Sequence, residues 1–425
     1  MTHKNISGII YMYDIYNFKR SDIVLKNRKV IIILVAFLLI GLVGCNKKEE
    51  KTAFTEGFAV DFLKLENNGK NMIYSPLSIK YALSMLNDGA AETTKDEIES
   101  AIKNLKFPKY ENIDKNLSFA NAVFIRDSYK EYAKESYTDT LKQKYAAEVH
   151  YDSFANANNV NKFVEEKTLG IIKSILDDDS IQDPNLKLIL INALAIDMKW
   201  EIGFSTANTY GADFNLENGT KMTATTMHAS RVKSDAISYY KDDKITALLM
   251  NLQKYGDTQL EFMAIMPSET LTEYVKKFKV EEFDNIKNKL TLSANTQNGL
   301  NITIPKFKYD YNLNLKSDLQ TLGIKEAFTN EANFSNMTSN SEGLHIDSAL
   351  HKADIEFSEE GIKAAAVTAI MVTGNSIMPQ EKPEEIVIDN PFLYAIRDKA
   401  NGEIWFVGTV YEPNLWENDK VAYQR

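Results

Sequence analysis

Few side chains of this 425-residue chain are spaced for catalysis. The sequence lacks the HExxH, GxSxG, P-loop and Rossmann glycine patterns, which place catalytic or phosphate-binding groups at fixed offsets. Its five histidines stand in no metal-ligand or catalytic-triad spacing: His3, His150, His228, His345 and His351. We therefore predict that the protein is not an enzyme and that it needs neither a metal ion nor a cofactor.

The single cysteine, Cys45, has the sequence context of a lipid attachment site. Basic residues at positions 26, 28 and 29 precede an apolar run over residues 30–43, which ends next to Gly44. These 14 residues would span only about 21 Å as a helix, whereas a bilayer core is about 30 Å thick. The pattern is therefore typical of an export signal. It resembles a bacterial lipobox, which implies cleavage before Cys45 and a diacylglycerol on its sulfur.

These signals divide the chain into three segments. Residues 1–44 are the predicted export signal, but residues 1–23 fit it poorly, so we expect the true start near Val24 or Leu25. Residues 45–53 form a lipidated tether. Residues 54–425 form one domain, because no Pro/Gly/Ser-rich linker interrupts them. We expect this domain on the extracellular side of a bacterial cell envelope, attached to the membrane through Cys45.

The charge distribution limits the classes of partner. The formal charge of the chain is −10, and residues 1–44 carry +4, so the rest carries −14. A body this acidic argues against nucleic acids and against heparin-like polyanions as main partners. With one cysteine, an intrachain disulfide is excluded.

Helical spacing of apolar residues is commoner early in the chain and strand patterns are commoner late. Helices are predicted over residues 54–65, 79–86, 94–105, 131–145, 160–176 and 315–322, with Thr94 and Glu97 as a capping box. Strands are predicted over residues 71–74, 120–125, 186–195, 260–266, 301–307, 353–357, 391–397 and 404–411. The segregation favours an α+β fold.

Residues 359–370 are the most informative segment. Their alanines favour a helix, and Glu359 with Lys363 is an i,i+4 ion pair. In a strand, alternate side chains would share one face, and that face would be free of charge: Ile362, Ala364, Ala366, Thr368 and Ile370. Proline would break such a strand, and none occurs over residues 361–378. From the residues alone, the segment fits a loop, a helix or a central strand, and Gly361 gives it backbone freedom to turn.

Several short motifs follow one another along residues 54–413. They are NMIYSPLSI at 71–79, ANAVF at 120–124, NA at 192–193, KW at 199–200 with Phe204, HKA at 351–353, EEG at 359–361, NPFL at 390–393 and FVG at 406–408. In order and spacing they resemble the serpin family. The sequence departs from that family between residues 105 and 116, where many members carry a further helix that often binds heparin. We therefore expect no heparin-like activator.

The resemblance implies an α+β fold with a single serpin-like domain, in which eight or nine helices surround three β-sheets and a reactive-centre loop is exposed. It also implies a monomeric suicide-substrate inhibitor of serine proteases. The target protease attacks the loop, forms an acyl-enzyme, and is trapped when the cut loop inserts into the main sheet. The sequence leaves papain-like cysteine proteases open as targets.

The resemblance assigns roles to particular residues. Family spacing counted from Glu359 places the reactive bond between Asn375 and Ser376. Counting back from Pro391 gives Gln380 instead, and further candidate cut sites are Met371, Val372 and Ile377. The implied loop hinge comprises Glu359, Gly361, Ile362, Ala364, Ala365, Ala366 and Thr368. The implied polar cluster where the sheet opens comprises Ser75, Ser78, Asn192 and His351.

Two further points stay open at the level of sequence. Lys306 and Glu359 either pair at the top of the main sheet or form an ordinary surface ion pair. A serpin fold can also serve binding, storage or chaperone-like roles without inhibition. Small hinge residues and Thr368 favour inhibition, whereas Ile362, which stands where the family usually has threonine, counts mildly against it.

Overall fold

The computed structural model describes residues 53–102, 110–113, 115–279, 281–347, 349–362, 382–414 and 416. Within them, nine α-helices are α1 (Ala53–Glu66), α2 (Pro76–Gly89), α3 (Glu92–Ile102), α4 (Glu135–Tyr145), α5 (Asn158–Lys167), α6 (Asp178–Gln182), α7 (Leu271–Lys277), α8 (Glu282–Lys287) and α9 (Lys316–Thr321). Five of them precede residue 170, in keeping with the early helical patterns.

Eighteen strands lie in the same described residues. They are β1 (Met72–Tyr74), β2 (Leu117–Arg126), β3 (Glu148–Asp152), β4 (Leu188–Ile196), β5 (Met198–Lys199), β6 (Thr209–Asn215), β7 (Lys221–Val232), β8 (Ile237–Lys241), β9 (Ile245–Tyr255), β10 (Thr258–Pro267), β11 (Thr291–Leu292), β12 (Leu300–Pro305), β13 (Phe307–Asn314), β14 (Leu350–Phe357), β15 (Gly361–Ile362), β16 (Glu384–Val387), β17 (Phe392–Asp398) and β18 (Ile404–Val410).

The strands form four hydrogen-bonded groups. One has seven strands in the order β1-β18-β17-β10-β9-β8-β11, and another has the order β16-β12-β7-β6. The remaining groups, β13-β14-β15-β5 and β3-β2-β4, adjoin because only Asp197 separates β4 from β5. We refer to these two groups together as the main sheet. The predicted α+β fold, with eight or nine helices around three sheets, is confirmed in the described residues.

Aromatic side chains join the main sheet to the seven-stranded sheet. The rings of Phe307 and Phe357 stack with centroids 4.8 Å apart, and Phe262 of β10 lies 4.6 Å from Phe357. All three side chains are fully buried, and every residue of β17 and β18 is buried. A large apolar core therefore fixes one face of β13 and β14.

Helix α5 covers the opposite face of β2 and β4. Phe163 meets Phe124 edge-on at 5.7 Å within a second apolar cluster. The predicted helix over residues 160–176 is too long, since α5 ends at Lys167. The Thr168 hydroxyl donates to the Val164 carbonyl at 2.7 Å, and the backbone turns left-handed at Gly170, φ +72°. The apolar residues that follow pack against the sheet as irregular chain.

Two other helix predictions need correction. Thr94 and Glu97 lie inside α3 rather than at its start, and both bind a distant segment instead of forming a capping box. The Glu97 carboxylate accepts from the backbone N–H groups of Lys325 and Glu326 at 2.7 Å. The predicted helix over residues 131–145 begins only at Glu135 and is preceded by a 3-10 turn. Of the helices in the described residues, none is long and apolar enough to span a bilayer.

Candidate functional site

The main sheet is interrupted between two of its long strands. β14 pairs with β13 along its whole length, from Phe357 opposite Phe307 to Leu350 opposite Asn314. Its other edge pairs only with β15, through Phe357 and Ile362. β4 pairs along its length with β2, and its continuation β5 pairs with β15. Within the described residues, β15 is thus the only strand that pairs with both halves of the sheet.

Two cavities lie where β4 and β14 face each other. The first is lined by residues 192–194 of β4 and 350–352 of β14, together with Ser75 and Ser78. The second is lined by Ile196 of β4, by residues 354–356 of β14 and by Ile362. Each has a volume of about 20 Å³, which is room for roughly one water molecule. We call the space between β4 and β14 the gap.

Polar side chains beneath the first cavity form a continuous hydrogen-bonded chain. Ser75 caps α2, since its hydroxyl accepts from the Ser78 N–H at 3.0 Å, and its own N–H donates to His351 Nε2 at 3.0 Å. The Ser78 hydroxyl bonds to the side-chain oxygen of Asn192. Asn192 then donates to the Asn121 oxygen at 2.6 Å. The structure thus brings Ser75, Ser78, Asn192 and His351 together and connects the two sides of the gap through α2.

His351 enters this chain as a hydrogen-bond acceptor. Its Nε2 receives the Ser75 N–H, so the ring is neutral and carries its proton on Nδ1. Full burial lowers the pKa of His351 to about 4, because a charged imidazolium would lack solvation there. Protonation of His351 would therefore weaken the contact between β14 and α2.

Asn121 belongs to this chain, although the sequence motif gave it no role. It lies directly opposite Asn192 in the pairing of β2 with β4, and its amide donates to the Tyr145 carbonyl at 2.8 Å. Two asparagines in two apolar strands are the signal that could have revealed it, because a buried amide requires partners.

The hinge enters the sheet through backbone hydrogen bonds to the segment after β5. The Glu359 carbonyl accepts from the Phe204 N–H and the Glu360 carbonyl from the Trp200 N–H, both at 2.8 Å. The Trp200 indole N–H donates to the Ser358 carbonyl at 2.9 Å. Ile362 follows as a strand residue with 2% of its surface exposed. The first uncharged hinge side chain is therefore already in the core.

Gly361 lies in close contact with the backbone of β5. A Cβ there would lie 2.1 Å from the Met198 carbonyl oxygen and 2.7 Å from Lys199 Cα. Its φ is not in the left-handed region, and the close contact gives Gly361 a packing role that the sequence did not predict. Any side chain at this residue would push β15 away from β5.

Glu359 forms a buried ion pair with Lys306. The Lys306 Nζ lies 2.9 Å and 3.2 Å from the two carboxylate oxygens, and both side chains are 7% exposed. The alternative of an ordinary surface pair is therefore wrong. Removing one partner of a buried pair leaves the other charge unpaired, which typically costs about 3–5 kcal/mol.

The other predicted site residues lie outside the described residues. These are Cys45, the hinge residues Ala364, Ala365, Ala366 and Thr368, and the reactive-bond residues Asn375 and Ser376.

Known proteins resemble this chain in sequence and in fold. The family model described as "Serpin (serine protease inhibitor)" matches residues 54–413. Serpin-ZXA of Oryza sativa subsp. japonica is 30% identical over 82% of this chain and 91% of its own. An uncharacterised serpin-like protein of Thermococcus kodakarensis is 29% identical over 84% of both chains. The crystal structure of the thermophilic serpin tengpin in its native state has a TM-score of 0.72 at 26% identity, covering 85% of this chain and 94% of tengpin.

The chain therefore belongs to the serpin family. Members of this family are mostly protease inhibitors rather than catalytic enzymes, and the family also includes uncharacterised members.

Proposed function

We propose that the protein is a suicide-substrate inhibitor of serine proteases that traps its target by inserting the cut reactive-centre loop into the gap. One observation carries the proposal. Ile362 already pairs with both β14 and β5, and Gly361 pairs with β5, so they are the first two residues of a strand that the gap could accommodate further. Insertion would lengthen an existing strand rather than start a new one.

The register of β15 predicts where the rest of the hinge would lie. Phe357 opposes Ile362, so His351 would oppose Thr368, which lies six residues along each strand. Met198 also opposes Ile362, so Asn192 would likewise oppose Thr368. The one polar side chain on the inward face of the hinge would thus reach the polar cluster from both edges. The small side chains of Ala364 and Ala366 would lie in the part of the gap between Ile362 and the polar cluster.

The energy available from insertion is large enough to affect a bound protease. Residues 363–369 would oppose residues 356–350 of β14 and would gain partners on both edges. About fourteen backbone hydrogen bonds at about 1 kcal/mol each give on the order of 10 kcal/mol. That amount is comparable with the stability of a whole domain, so it can distort a catalytic triad and stop hydrolysis of the acyl-enzyme.

The target class follows from the loop sequence. We propose the Asn375–Ser376 bond as the reactive bond, and no Lys or Arg lies between Lys363 and Lys382. Elastase-, subtilisin- or chymotrypsin-like enzymes therefore fit better than trypsin-like enzymes, and papain-like enzymes are a second class to test.

The test is to mix the purified chain with a panel of these proteases, separate the products on denaturing gels and weigh the released C-terminal peptide. We expect a gel-stable complex and a peptide that begins at Ser376. Cleavage without any complex across the panel would overturn the proposal and would favour a binding or storage role.

A matched pair of variants tests insertion itself. Ala366→Arg would place a charge opposite the buried Ala353 and should convert the inhibitor into a substrate. Ala365→Arg lies on the other face of the inserted strand, opposite Asp354, and should still form the complex. Equal inhibition by both variants would exclude insertion in this register.

We further propose that Cys45 carries the lipid that holds the exported protein at the bacterial cell surface. The support is the short apolar run before it and the absence of any other cysteine in the sequence. Cys45→Ala should abolish labelling with fatty acid and release the protein from membranes. A variant that is still labelled would refute the anchor.

A further inference from the structure

We propose that Asn414 and Trp416 form a strap that restrains the main sheet and sets how fast the uncut protein inactivates itself. By self-inactivation we mean insertion of the uncut loop into the gap. The inference rests on the proposed function, because it concerns the same gap, but its test uses no protease.

Asn414 connects two sheets. Its side-chain oxygen accepts from the Lys308 N–H of β13 at 2.8 Å, and its carbonyl accepts from the Thr225 N–H of β7 at 3.3 Å. Trp416 adds a second bond to the same residue, since its N–H donates to the Thr225 hydroxyl at 3.0 Å. Thr225 itself is fully buried. The strap thus joins the outer strand of the main sheet to the β7 sheet.

The Trp416 ring lies on the ion pair at the hinge. Lys306 Nζ is 4.0 Å from the ring centroid, a distance at which the ring attracts the cation. The same Nζ holds the Glu359 carboxylate at 2.9 Å. A residue close to the C-terminus therefore acts, through one lysine, on the residue from which the loop departs.

Lys306 occupies the point where the chain passes from one sheet to the other. It lies between β12 and β13, and its N–H donates to the Thr225 carbonyl at 2.8 Å. All three backbone and side-chain polar atoms of Thr225 are thus used to hold Lys306 and the strap. The end of β13 and β14 that contains Phe307 and Phe357 is therefore fixed to β7.

Because β15 already lies between β14 and β5, deeper insertion requires β14 to separate from β4 along the two cavities. Because β14 is paired along its length with β13, the two strands must move together. That movement pulls Lys306 and Lys308 away from Thr225 and from the strap. The strap contacts are made before the sheet opens and broken while it opens, so they raise the barrier to insertion.

The strap lies beyond the residues that the family model matches. The serpin family model ends at Pro413, and the strap begins at the next residue. The buried Trp416 indole N–H has no hydrogen-bond partner among the described atoms. Trp416→Phe is therefore a suitable control, because it keeps an aromatic ring over Lys306 and removes no hydrogen bond.

The test compares the full chain, solubilised in detergent, with four variants. Two carry Trp416→Ala and Trp416→Phe, and two are shortened to end at Pro413 or at Trp416. All the uncut proteins are held at one temperature, a few degrees below the lowest unfolding transition of the set. The rate at which it converts to a monomer that resists urea is followed on urea-gradient gels.

We expect Trp416→Ala and the chain ending at Pro413 to convert about tenfold faster than the parent, which corresponds to about 1.4 kcal/mol of barrier. The chain ending at Trp416 and Trp416→Phe should convert within about twofold of the parent. Parental rates for the chain ending at Pro413 would overturn the strap. So would equal acceleration in the chain ending at Trp416.

A second measurement separates insertion from general instability. If the faster product is unfolded or aggregated rather than a urea-resistant monomer, the strap does not control insertion and the proposal fails. Failure to inhibit any protease, with the conversion rates as expected, would refute the proposed function while leaving the strap in place.

Discussion

Ile362→Ala tests whether the hinge truly begins inside the sheet. The side chain is 2% exposed, pairs with Phe357 and Met198, and lines one wall of a cavity. Truncating a buried isoleucine to alanine typically costs about 2–5 kcal/mol. The existing cavity already removes some contacts, so we expect a cost at the lower end, about 2–3 kcal/mol. An exposed loop residue would cost less than about 0.5 kcal/mol.

The expected cost converts into a measurable shift. Unfolding entropy is about 2.1 cal/mol/K per residue, so a domain of about 370 residues loses about 1 °C of Tm for each 0.8 kcal/mol. Ile362→Ala should therefore lower the midpoint by about 3 °C in thermal unfolding followed by circular dichroism. Ile362→Val is the control and should lose about 1 °C. A shift below 0.5 °C for alanine would refute the placement of Ile362 in the core.

Three other changes have definite expected outcomes. Gly361→Ala should lower the unfolding midpoint by about 1–3 °C, because the added methyl group meets the Met198 carbonyl. Burial lowers the pKa of His351 to about 4, so His351 alone should contribute a loss of about 2–3 kcal/mol as pH falls from about 6.5 to 4, and His351→Gln should lack this contribution. Burial and the neighbouring Glu66 carboxylate raise the pKa of Asp318 to about 6. Asp318 therefore contributes stability that is complete below pH 4 and is lost as pH rises through 6, a loss of about 1–2 kcal/mol. Asp318→Asn should remove that loss.

Urea midpoints measured from pH 4 to pH 8 check the two titrations. They have opposite signs, so the double variant His351→Gln, Asp318→Asn should give the flattest profile of the set. If His351→Gln retains the parent's acid loss, another group is responsible. If Asp318→Asn is no more stable than the parent at pH 7, the ionised Asp318 beside Glu66 does not destabilise the folded protein. For Gly361→Ala, an unchanged midpoint would mean that β15 does not pack against β5.

The fold could be predicted from the sequence where local pattern and tertiary packing agree. The hairpin of β17 and β18 is an example, because two apolar runs flank Asn401-Gly402, which is a strong turn signal. Helix α5 is the opposite case. Its apolar spacing continues past Lys167, but those later apolar residues pack at the gap, so tertiary contacts end the helix early.

The site could be predicted in its residues but not in its geometry. The motifs indicated Ser75, Ser78, Asn192 and His351, yet the hydrogen bond that links β14 to α2 depends on residues 276 positions apart. The same holds for Thr94 and Glu97, whose partners lie more than 200 residues away. Long-range hydrogen bonds leave no local signature, so the capping-box prediction was wrong although both side chains do bind backbone groups.

The most direct measurement of loop insertion compares thermal unfolding of the intact chain with that of the chain cut once in the loop. A protease that the protein does not trap makes the cut, and the peptide mass verifies its position. Insertion worth on the order of 10 kcal/mol predicts that the cut chain unfolds more than 10 °C above the intact chain. Ala366→Arg, cut in the same way, should gain little. An equal or lower midpoint for the cut parent chain would contradict insertion into the gap between β4 and β14.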